Sequence, residues 1–182
     1  MPPTRKNRIS PNPARFRLSV IDETPSMVSR YALDEKCLLL AKIRHNRLID
    51  RLFNSIATSI HQNCRAFVPG FGQIETDEVY VAVTNSGDQF VIPVQAKGGK
   101  DQINTGQVMQ DLSLCRYKFP LLVPRPVAVQ FVDDELGEAI VMFELIESEG
   151  ELSVVDEKHY RLVPANSISA GDLDEYRRAS RG

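Results

Sequence analysis

The alternation of apolar and polar residues predicts a β-hairpin over residues 74–97. Two runs rich in β-branched and aromatic residues, EVYVAV and QFVIPVQAK, flank a polar turn at residues 85–88. The strands of a hairpin run antiparallel, so the start of the first lies beside the end of the second. We therefore expect Asp77 to lie at the same edge as Gln95 and Lys97, which share one strand face because they are two residues apart.

Apolar residues at three- and four-residue spacing predict a long helix over residues 34–62. Asp34 is a residue type that favours the N-cap position, and the apolar positions recur throughout the second half of the segment. We expect this helix to end near Asn63 and a short strand to follow at residues 65–68.

A second helix is predicted over residues 102–118, where Val108, Leu112 and Cys115 have helical spacing and a proline follows. Further apolar, β-rich segments predict strands at residues 121–132, 138–146 and 151–163, the last forming one or two strands. We expect a short helix in the polar tail beyond Ser167. The order helix, strands, helix, strands predicts an α/β fold, with a mixed sheet and helices packed against its faces.

Charge is distributed unevenly along the chain, although the net charge is only −2. Residues 1–65 contain 12 Lys and Arg against 5 Asp and Glu, whereas residues 66–182 contain 10 against 19. The first 17 residues contain five basic side chains, four prolines and no acid, a composition that forms no helix and buries little. We expect residues 1–20 to be a flexible basic arm and residues 21–182 to form a single domain. The arm has two interpretations, a contact to phosphate groups or a solvated terminus.

The three cysteines, Cys37, Cys64 and Cys115, are widely spaced and form no CxxC pair, so the sequence indicates neither a disulfide framework nor a zinc site. Free cysteines are typical of a reducing compartment. The sequence has no apolar run long enough to cross a membrane and no apolar signal-peptide core near its start. We expect a soluble, cytoplasmic protein without a membrane partner.

The predicted hairpin, with Asp77 at its start and Gln95-Ala96-Lys97 at its end, resembles the core of the PD-(D/E)xK nuclease superfamily. In that superfamily an Asp opens one strand and Glu-x-Lys closes the next, and Gln-x-Lys is similar to the variant of the Mrr-type branch. The resemblance covers about residues 35–129, roughly half of the chain. It implies a restriction-endonuclease-like α/β fold with a mixed central sheet flanked by helices. It also implies a DNA endonuclease of the restriction, defence or DNA-processing type that depends on Mg²⁺ or Mn²⁺.

The resemblance further implies roles for the residues of the motif. Asp77 is expected to be the principal metal ligand. Gln95 and the backbone carbonyl of Ala96 would complete the ligand set from the neighbouring strand. Lys97 would orient the attacking water and stabilise the charged phosphate.

An additional acid is expected in such a site, and the sequence offers three. Glu35 qualifies by its position in a helix before the core strands, and Glu75 by its place on the same strand face as Asp77. Asp50 is a further alternative. Glu35 also has a structural interpretation, as an acid favoured at a helix N-terminus.

Six further side chains are candidates for contacts with DNA: Lys100, Gln107, Gln110, Arg44, Arg47 and Arg51. The lysine follows two glycines that allow a close approach of backbone to a ligand. The two glutamines lie one turn apart on the second predicted helix, and the three arginines form a stripe on the first. The glutamines and the arginines have the alternative interpretation of ordinary polar residues on a solvated helix face.

The cluster at the hairpin edge has a structural interpretation as well. An Asp–Lys pair across a hairpin is a common surface salt bridge, worth about 0–1 kcal/mol. Two functional alternatives therefore stand beside a nuclease. One is a protein of the same fold that binds nucleic acid or a protein partner without catalysis, and the other is an unrelated α/β binding module. Nucleases that cut both strands often pair two sites, so a homodimer is compatible with the first interpretation.

Overall fold

A long hairpin and the helices around it organise the protein, whose structure is a computed structural model that describes residues 8–181. Within these residues the strands are β1 (Arg8–Ile9), β2 (Arg17–Ile21), β3 (Ser55–Val68), β4 (Gly72–Thr84), β5 (Gln89–Lys97), β6 (Ile103–Asn104), β7 (Val123–Pro124), β8 (Val127–Asp134), β9 (Gly137–Ser148) and β10 (Glu151–Val163). The helices are α1 (Ser26–Tyr31), α2 (Glu35–His45), α3 (Leu48–Phe53), α4 (Thr105–Lys118) and α5 (Ala170–Ala179), with a short 3₁₀ helix at Ala165–Ser167.

The main sheet is mixed. Its strands follow one another in the order β2-β10-β9-β8-β5-β4-β3, and β7 pairs with β5 beside this path. The pairs β2–β10, β5–β8 and β5–β7 are parallel, and the other neighbours are antiparallel. β1 and β6 form a separate two-stranded antiparallel sheet.

Helices cover both faces of this sheet because each face carries an apolar cluster of its own. Leu39 of α2 belongs to the same buried cluster as Tyr80 of β4, while Leu114 of α4 belongs to the cluster that contains Val79. Val79 and Tyr80 are neighbours in sequence and therefore point to opposite faces. The predicted α/β class, a mixed sheet flanked by helices, is confirmed.

β4 and β5 form the predicted hairpin, and β5 has the predicted bounds. The turn is closed by Gly87 N–H, which donates to the Thr84 carbonyl, and by Thr84 N–H, which donates to the Asp88 carbonyl. The second predicted helix is present as α4. It begins at Thr105, and the side chain of Asn104 caps it by accepting from Gly106 N–H.

The predicted single helix over residues 34–62 is divided into two helices, and the prediction is wrong from Asn54 onward. α2 ends at His45, and α3 ends at Phe53. Arg47 and Asn54 both adopt a left-handed backbone conformation, with φ of 52° and 48°. These residues interrupt the helical hydrogen bonding twice within the predicted segment.

Residues 55–68 form the strand β3, which pairs with β4 along almost its whole length. The predicted helix end at Asn63 and the predicted strand at 65–68 both lie inside it. Ile56 and Ile60 fit a helical period, but Ile56, Thr58 and Ile60 are also β-branched residues at a spacing of two. The ladder with β4 decides between these two periods.

The described part of the predicted basic arm is built into the fold. β2 pairs in parallel with β10, and Val20 is 2 % exposed. Ser19 N–H donates to Asp172 Oδ1 of α5 at 2.8 Å. The predicted arm boundary at residue 20 therefore falls within a strand of the main sheet. Residues 1–7 of the arm lie outside the described residues.

The C-terminal half follows the predicted order of elements. β8, β9 and β10 correspond to the three predicted β-rich segments, and β10 is one continuous strand. The helix expected in the tail is α5. None of the helices between residues 8 and 181 combines the length and apolar character that a membrane crossing needs.

Candidate functional site

At the open end of the β4–β5 hairpin, the backbone hydrogen bonds between the strands end, and the side chain of Asp77 bonds to β5 instead. The paired register of β4 with β5 ends at Glu78, and beyond it Asp77 Oδ2 accepts a hydrogen bond from Ala96 N–H at 2.9 Å. Asp77 is 5 % exposed. A hydrogen bond to a charged acceptor is stronger than one between neutral groups. Asp77 is therefore fixed against β5 at the residue between Gln95 and Lys97.

The second oxygen of this carboxylate is held by a lysine from the first turn of α2. Lys36 Nζ donates to Asp77 Oδ1 at 2.8 Å. The hydrogen bond to Asp77 raises the pKa of Lys36, and partial burial opposes this effect. The side chain of Lys36 is 44 % exposed, whereas that of Asp77 is 6 % exposed. Asp77 is thus a buried acid whose counterion reaches it from the surface.

Gln95 is buried beside this pair, and one of its polar atoms is unsatisfied. The residue is 6 % exposed, and its Oε1 has no hydrogen-bond partner within residues 8–181. A buried acceptor left unpaired costs about 1–3 kcal/mol. A donor or cation that reached this oxygen would recover that cost. Lys97 is half-buried two residues further along β5, on the same strand face.

Asp111 of α4 adds a second acid to this end of the hairpin. It is 2 % exposed, its Oδ1 accepts from Thr76 Oγ1 at 2.7 Å, and its Oδ2 has no partner among the described residues. Burial raises the pKa of the Asp111 carboxyl to about 8, and the charge of Asp77 adds to the effect. The hydrogen bond from Thr76 and the charge of Lys97 oppose it. At neutral pH, Asp111 therefore carries a proton.

These side chains form what we call the open-end site: Lys36, Asp77, Gln95, Ala96, Lys97 and Asp111. Lys36 and Asp111 are absent from the sequence motif, yet each leaves a signal in the sequence. Lys36 is a cation in a first helical turn, where the helix dipole disfavours it. Asp111 is an acid at helical spacing from Val108 and Cys115, on the apolar line of α4.

Glu35 lies over the turn that follows β5. A Cβ atom on Gly98 would lie 2.9 Å from Glu35 Oε2, and one on Gly99 would lie 3.1 Å from it. The turn is closed by Asp101 N–H, which donates to the Gly98 carbonyl at 3.2 Å. Because glycine has no side chain, the Glu35 carboxylate approaches the backbone directly after Lys97. The structure therefore brings Glu35 from α2 to the end of β5.

The two other candidate acids have partners outside the open-end site. Glu75 is exposed, and its Oε2 accepts from Arg65 Nε at 3.0 Å across the β3–β4 pair. Asp50 accepts from Ala57 N–H at 2.7 Å and forms an ion pair with Arg47. Asp50 thereby joins α3 to the start of β3. These contacts account for both acids without a ligand.

Of the three arginines of the predicted stripe, Arg44 lies in α2 and Arg51 in α3, while Arg47 lies in the break between these helices. Arg44 of α2 donates to both carboxylate oxygens of Glu78, at 2.9 and 3.2 Å. Arg47 forms an ion pair with the acid three residues further along, and the Arg51 guanidinium lies 5.5 Å from the centroid of the Tyr176 ring. All three are therefore engaged within the fold in different ways. The three arginines therefore do not line one helix face, because the predicted helix is interrupted between α2 and α3.

The remaining candidates for ligand contacts are exposed. Lys100 lies in the turn after β5, and Gln107 and Gln110 lie in the first half of α4. Asp111, the residue after Gln110, is buried. The first half of α4 thus has an exposed amide side and a side with an acid directed into the protein.

The oxygen atoms of the open-end site are suited to a hard cation such as Mg²⁺ or Mn²⁺. Three oxygens are such ligands: the Asp77 carboxylate, Gln95 Oε1, which has no partner among the described residues, and the backbone carbonyl of Ala96 on the same strand as Gln95. Within residues 8–181 no group of three or more His, Cys, Asp or Glu side chains is arranged to hold a metal ion. An ion here would therefore depend on neutral oxygens beside one ionised carboxylate.

The open end of the β4–β5 hairpin combines two lysines and a glycine turn with buried polar atoms that have no partner among the described residues. Perturbed carboxyl groups and convergent polar groups of this kind are typical of ligand-binding and catalytic sites. Comparisons of the chain with protein-family models, with curated proteins and with solved structures found no match.

Proposed function

We propose that the protein is a divalent-metal-dependent DNA endonuclease whose active site is the open-end site. The observation that carries this proposal is the hydrogen bond from Ala96 N–H to Asp77 Oδ2 at 2.9 Å, which joins the acid to the Gln-x-Lys strand. An acid, an amide and a lysine held together in this way are the groups that the PD-(D/E)xK resemblance implies. They suit an endonuclease of the restriction, defence or DNA-processing type.

Each of these groups has a role in phosphodiester hydrolysis. Asp77, Gln95 and the Ala96 carbonyl are the residues that would hold Mg²⁺ or Mn²⁺. When bound, the ion neutralises charge at the phosphate and lowers the pKa of the attacking water. Lys97, on the same strand face as Gln95, orients that water and stabilises the phosphate oxygens. Burial of Asp77 and Gln95 strengthens these interactions because little solvent screens them.

The order of elements around the site supports a restriction-endonuclease-like arrangement. α2 precedes the antiparallel strands β3, β4 and β5, α4 follows on the opposite face, and β8 returns parallel to β5. Asp77 and Gln95 therefore lie in the interior of the sheet, between helices. Glu35, at the turn after β5, is the acid best placed to add negative charge to the site.

A second candidate function is a protein of this fold that binds nucleic acid or a protein partner without cleaving. Two observations favour it. Lys36 already neutralises Asp77, and no group of three metal-binding side chains occurs within residues 8–181. A site with one ionised acid binds a divalent cation more weakly than a site with two.

The decisive experiment is cleavage of supercoiled plasmid with Mg²⁺ or Mn²⁺, and with EDTA as the metal-free reference. We expect Asp77→Asn and Lys97→Met to lose about 100-fold or more in rate, the usual effect of removing a catalytic acid–base or metal-binding group. Asp133→Asn and Lys158→Met, which make the same chemical changes on β8 and β10, are the controls and should cleave normally.

The result separates the two functions. Metal-dependent cleavage that persists in purified Asp77→Asn would reject the open-end site as the active site. Absence of cleavage by the wild type, together with DNA binding that is independent of metal, would favour the non-catalytic alternative.

A further inference from the structure

Lys36 is hydrogen-bonded to one carboxylate oxygen of Asp77, the residue proposed above as the principal metal ligand. Its Nζ donates to Asp77 Oδ1 at 2.8 Å, while Asp77 Oδ2 accepts from Ala96 N–H at 2.9 Å. Both oxygens of the carboxylate are therefore already engaged. Because two cations at one oxygen repel each other, a divalent ion binds Oδ1 only after Lys36 has withdrawn.

A neighbouring ion pair on the same two elements shows why this one is able to open. Arg44 of α2 donates two hydrogen bonds to Glu78, whose side chain is 0 % exposed, and Ser59 Oγ donates a third. Lys36 makes a single hydrogen bond, and its side chain is 44 % exposed. An ammonium on a flexible stem also leaves its partner more readily than a planar guanidinium bound at two points. The Arg44 pair is fixed, whereas Lys36 has solvent to move into.

The position of Lys36 in its helix is explained by Asp77 and not by helix stability. Asp34 is the N-cap of α2, so Glu35 and Lys36 are its first two helical residues. The helix dipole favours acids and disfavours cations there. Lys36 compensates by neutralising a carboxylate that would otherwise be buried without a charged partner, an arrangement that is strongly destabilising.

We propose that Lys36 is a displaceable counterion of Asp77. The divalent cation takes its place at Oδ1, and the released ammonium binds a phosphate oxygen of the nucleic acid. No covalent bond changes, and Asp77 has a cationic partner in both states. The proposal rests on the metal-dependent function proposed above and adds that metal and substrate binding are coupled through one side chain.

The test uses three variants of the full chain. Lys36→Met keeps most of the stem and removes the charge, Lys36→Arg keeps the charge, and Lys42→Met removes a charge elsewhere on α2 as the control. Mn²⁺ binding is measured by calorimetry without DNA. Binding of a short DNA duplex is measured by fluorescence anisotropy, once with Ca²⁺ and once with EDTA.

The exchange predicts opposite changes for the two ligands. Lys36→Met should bind Mn²⁺ on the order of three- to tenfold more tightly, since it removes a competing charge of the strength of a partly exposed ion pair. It should bind the duplex more weakly by a similar factor in Ca²⁺ and equally well in EDTA, where Lys36 is held by Asp77. Lys36→Arg keeps the charge and should bind Mn²⁺ no more tightly than the wild type, because a guanidinium leaves a carboxylate less readily than an ammonium. Any effect of Lys42→Met on the duplex should be the same in both conditions.

Three results would overturn the exchange. If Lys36→Met binds Mn²⁺ no more tightly than the wild type, Lys36 does not compete with the metal for Asp77. This result rejects the exchange even where the wild type binds metal and cleaves DNA. An equal loss of duplex affinity in Ca²⁺ and EDTA makes Lys36 an ordinary surface charge. Absence of Mn²⁺ binding by every protein rejects the metal site and the proposed function with it. Lys36→Gln repeats each measurement if thermal unfolding shows that Lys36→Met is not folded.

Discussion

The two ends of the β4–β5 hairpin satisfy their polar groups in opposite ways. At the turn, Ser86 Oγ donates to Asp88 Oδ2 at 2.8 Å, and Asp88 N–H donates to Thr84 Oγ1 at 3.1 Å. Solvent reaches this turn, so its polar groups need nothing more. At the open end, Asp77 and Gln95 are buried, and Gln95 Oε1 has no partner within the described residues. The polar groups at the turn of the hairpin are thus satisfied locally or by solvent, whereas a buried polar atom at its open end is not satisfied within the described residues.

Neighbouring acids at the open end show the same difference on a smaller scale. Glu78 is fully buried and has three hydrogen bonds from Arg44 and Ser59, so it is satisfied by the protein alone. Asp77 has one backbone donor and one half-exposed lysine. Both acids are therefore buried, but Asp77 has fewer donors and a more exposed counterion than Glu78.

The largest effect on stability is expected when Glu78 loses its partner Arg44. Arg44→Met leaves the carboxylate of Glu78 buried without a counterion, which should lower the free energy of unfolding by about 3 kcal/mol. The midpoint of thermal unfolding should fall by about 6–12 °C. Asp88→Asn, at the other end of the hairpin, is the control and should change stability by less than about 0.5 kcal/mol. Similar midpoints for the two variants would contradict a structural role for Glu78.

The second effect concerns the buried acid of α4 and depends on pH. Because burial raises the pKa of Asp111 to about 8, the native state keeps a proton that the unfolded state loses above about pH 4. The free energy of unfolding should therefore fall as pH rises from about 4 to 8. Asp111→Asn should remove about 2.5 kcal/mol of this fall between pH 5 and 7. Chemical denaturation across that range is the measurement, and identical pH profiles would place the Asp111 carboxyl in a solvated environment.

The third effect concerns Gln95, whose Oε1 has no hydrogen-bond partner among the described residues. Gln95→Glu adds a charge at an oxygen suited to a hard cation and should lower the Mn²⁺ or Mg²⁺ concentration for half-maximal cleavage about tenfold, close to 1.4 kcal/mol. Gln95→Leu keeps much of the volume but removes the oxygen, and should bind metal poorly. Metal titration of the three proteins decides the matter. Indistinguishable metal requirements would show that Gln95 is not a ligand.

The smallest effect is expected for the exposed ion pair near the same end. The Arg65 and Glu75 side chains are 64 % and 45 % exposed, so solvent screens their interaction. Arg65→Met should change the free energy of unfolding by less than about 0.5 kcal/mol. A loss comparable with that of Arg44→Met, measured by the same thermal unfolding, would mean that exposure does not separate the two pairs.

Local patterns predicted the hairpin well. Its turn residues and its β-rich runs all lie within residues 74–97, so the pairing depends on one stretch of chain. The place of Asp77 beside Gln95 and Lys97 follows from that local pairing. The helix α4 was predictable for the same reason.

Other features depend on partners that are distant in sequence. Residues 54–62 fit both a helical and a strand period, and pairing with β4 decides between them. The predicted arm contains β2, whose partner β10 is encoded about 140 residues later. Lys36 and Asp111 reach the open-end site because α2 and α4 pack on opposite faces of the sheet, a placement that no local pattern encodes.

The pairing of β2 with β10 also has a consequence for how the chain is made. Arg17–Ile21 lies early in the sequence, yet it pairs with His159–Val163, and Asp172 of α5 accepts a hydrogen bond from Ser19 N–H. During synthesis from the N-terminus, β2 therefore has no partner strand until His159–Val163, about 140 residues later, has left the ribosome. Closing so large a loop is slow compared with folding of the local hairpin. We therefore expect the β2 edge of the sheet to form after the β3–β4–β5 unit that carries Asp77.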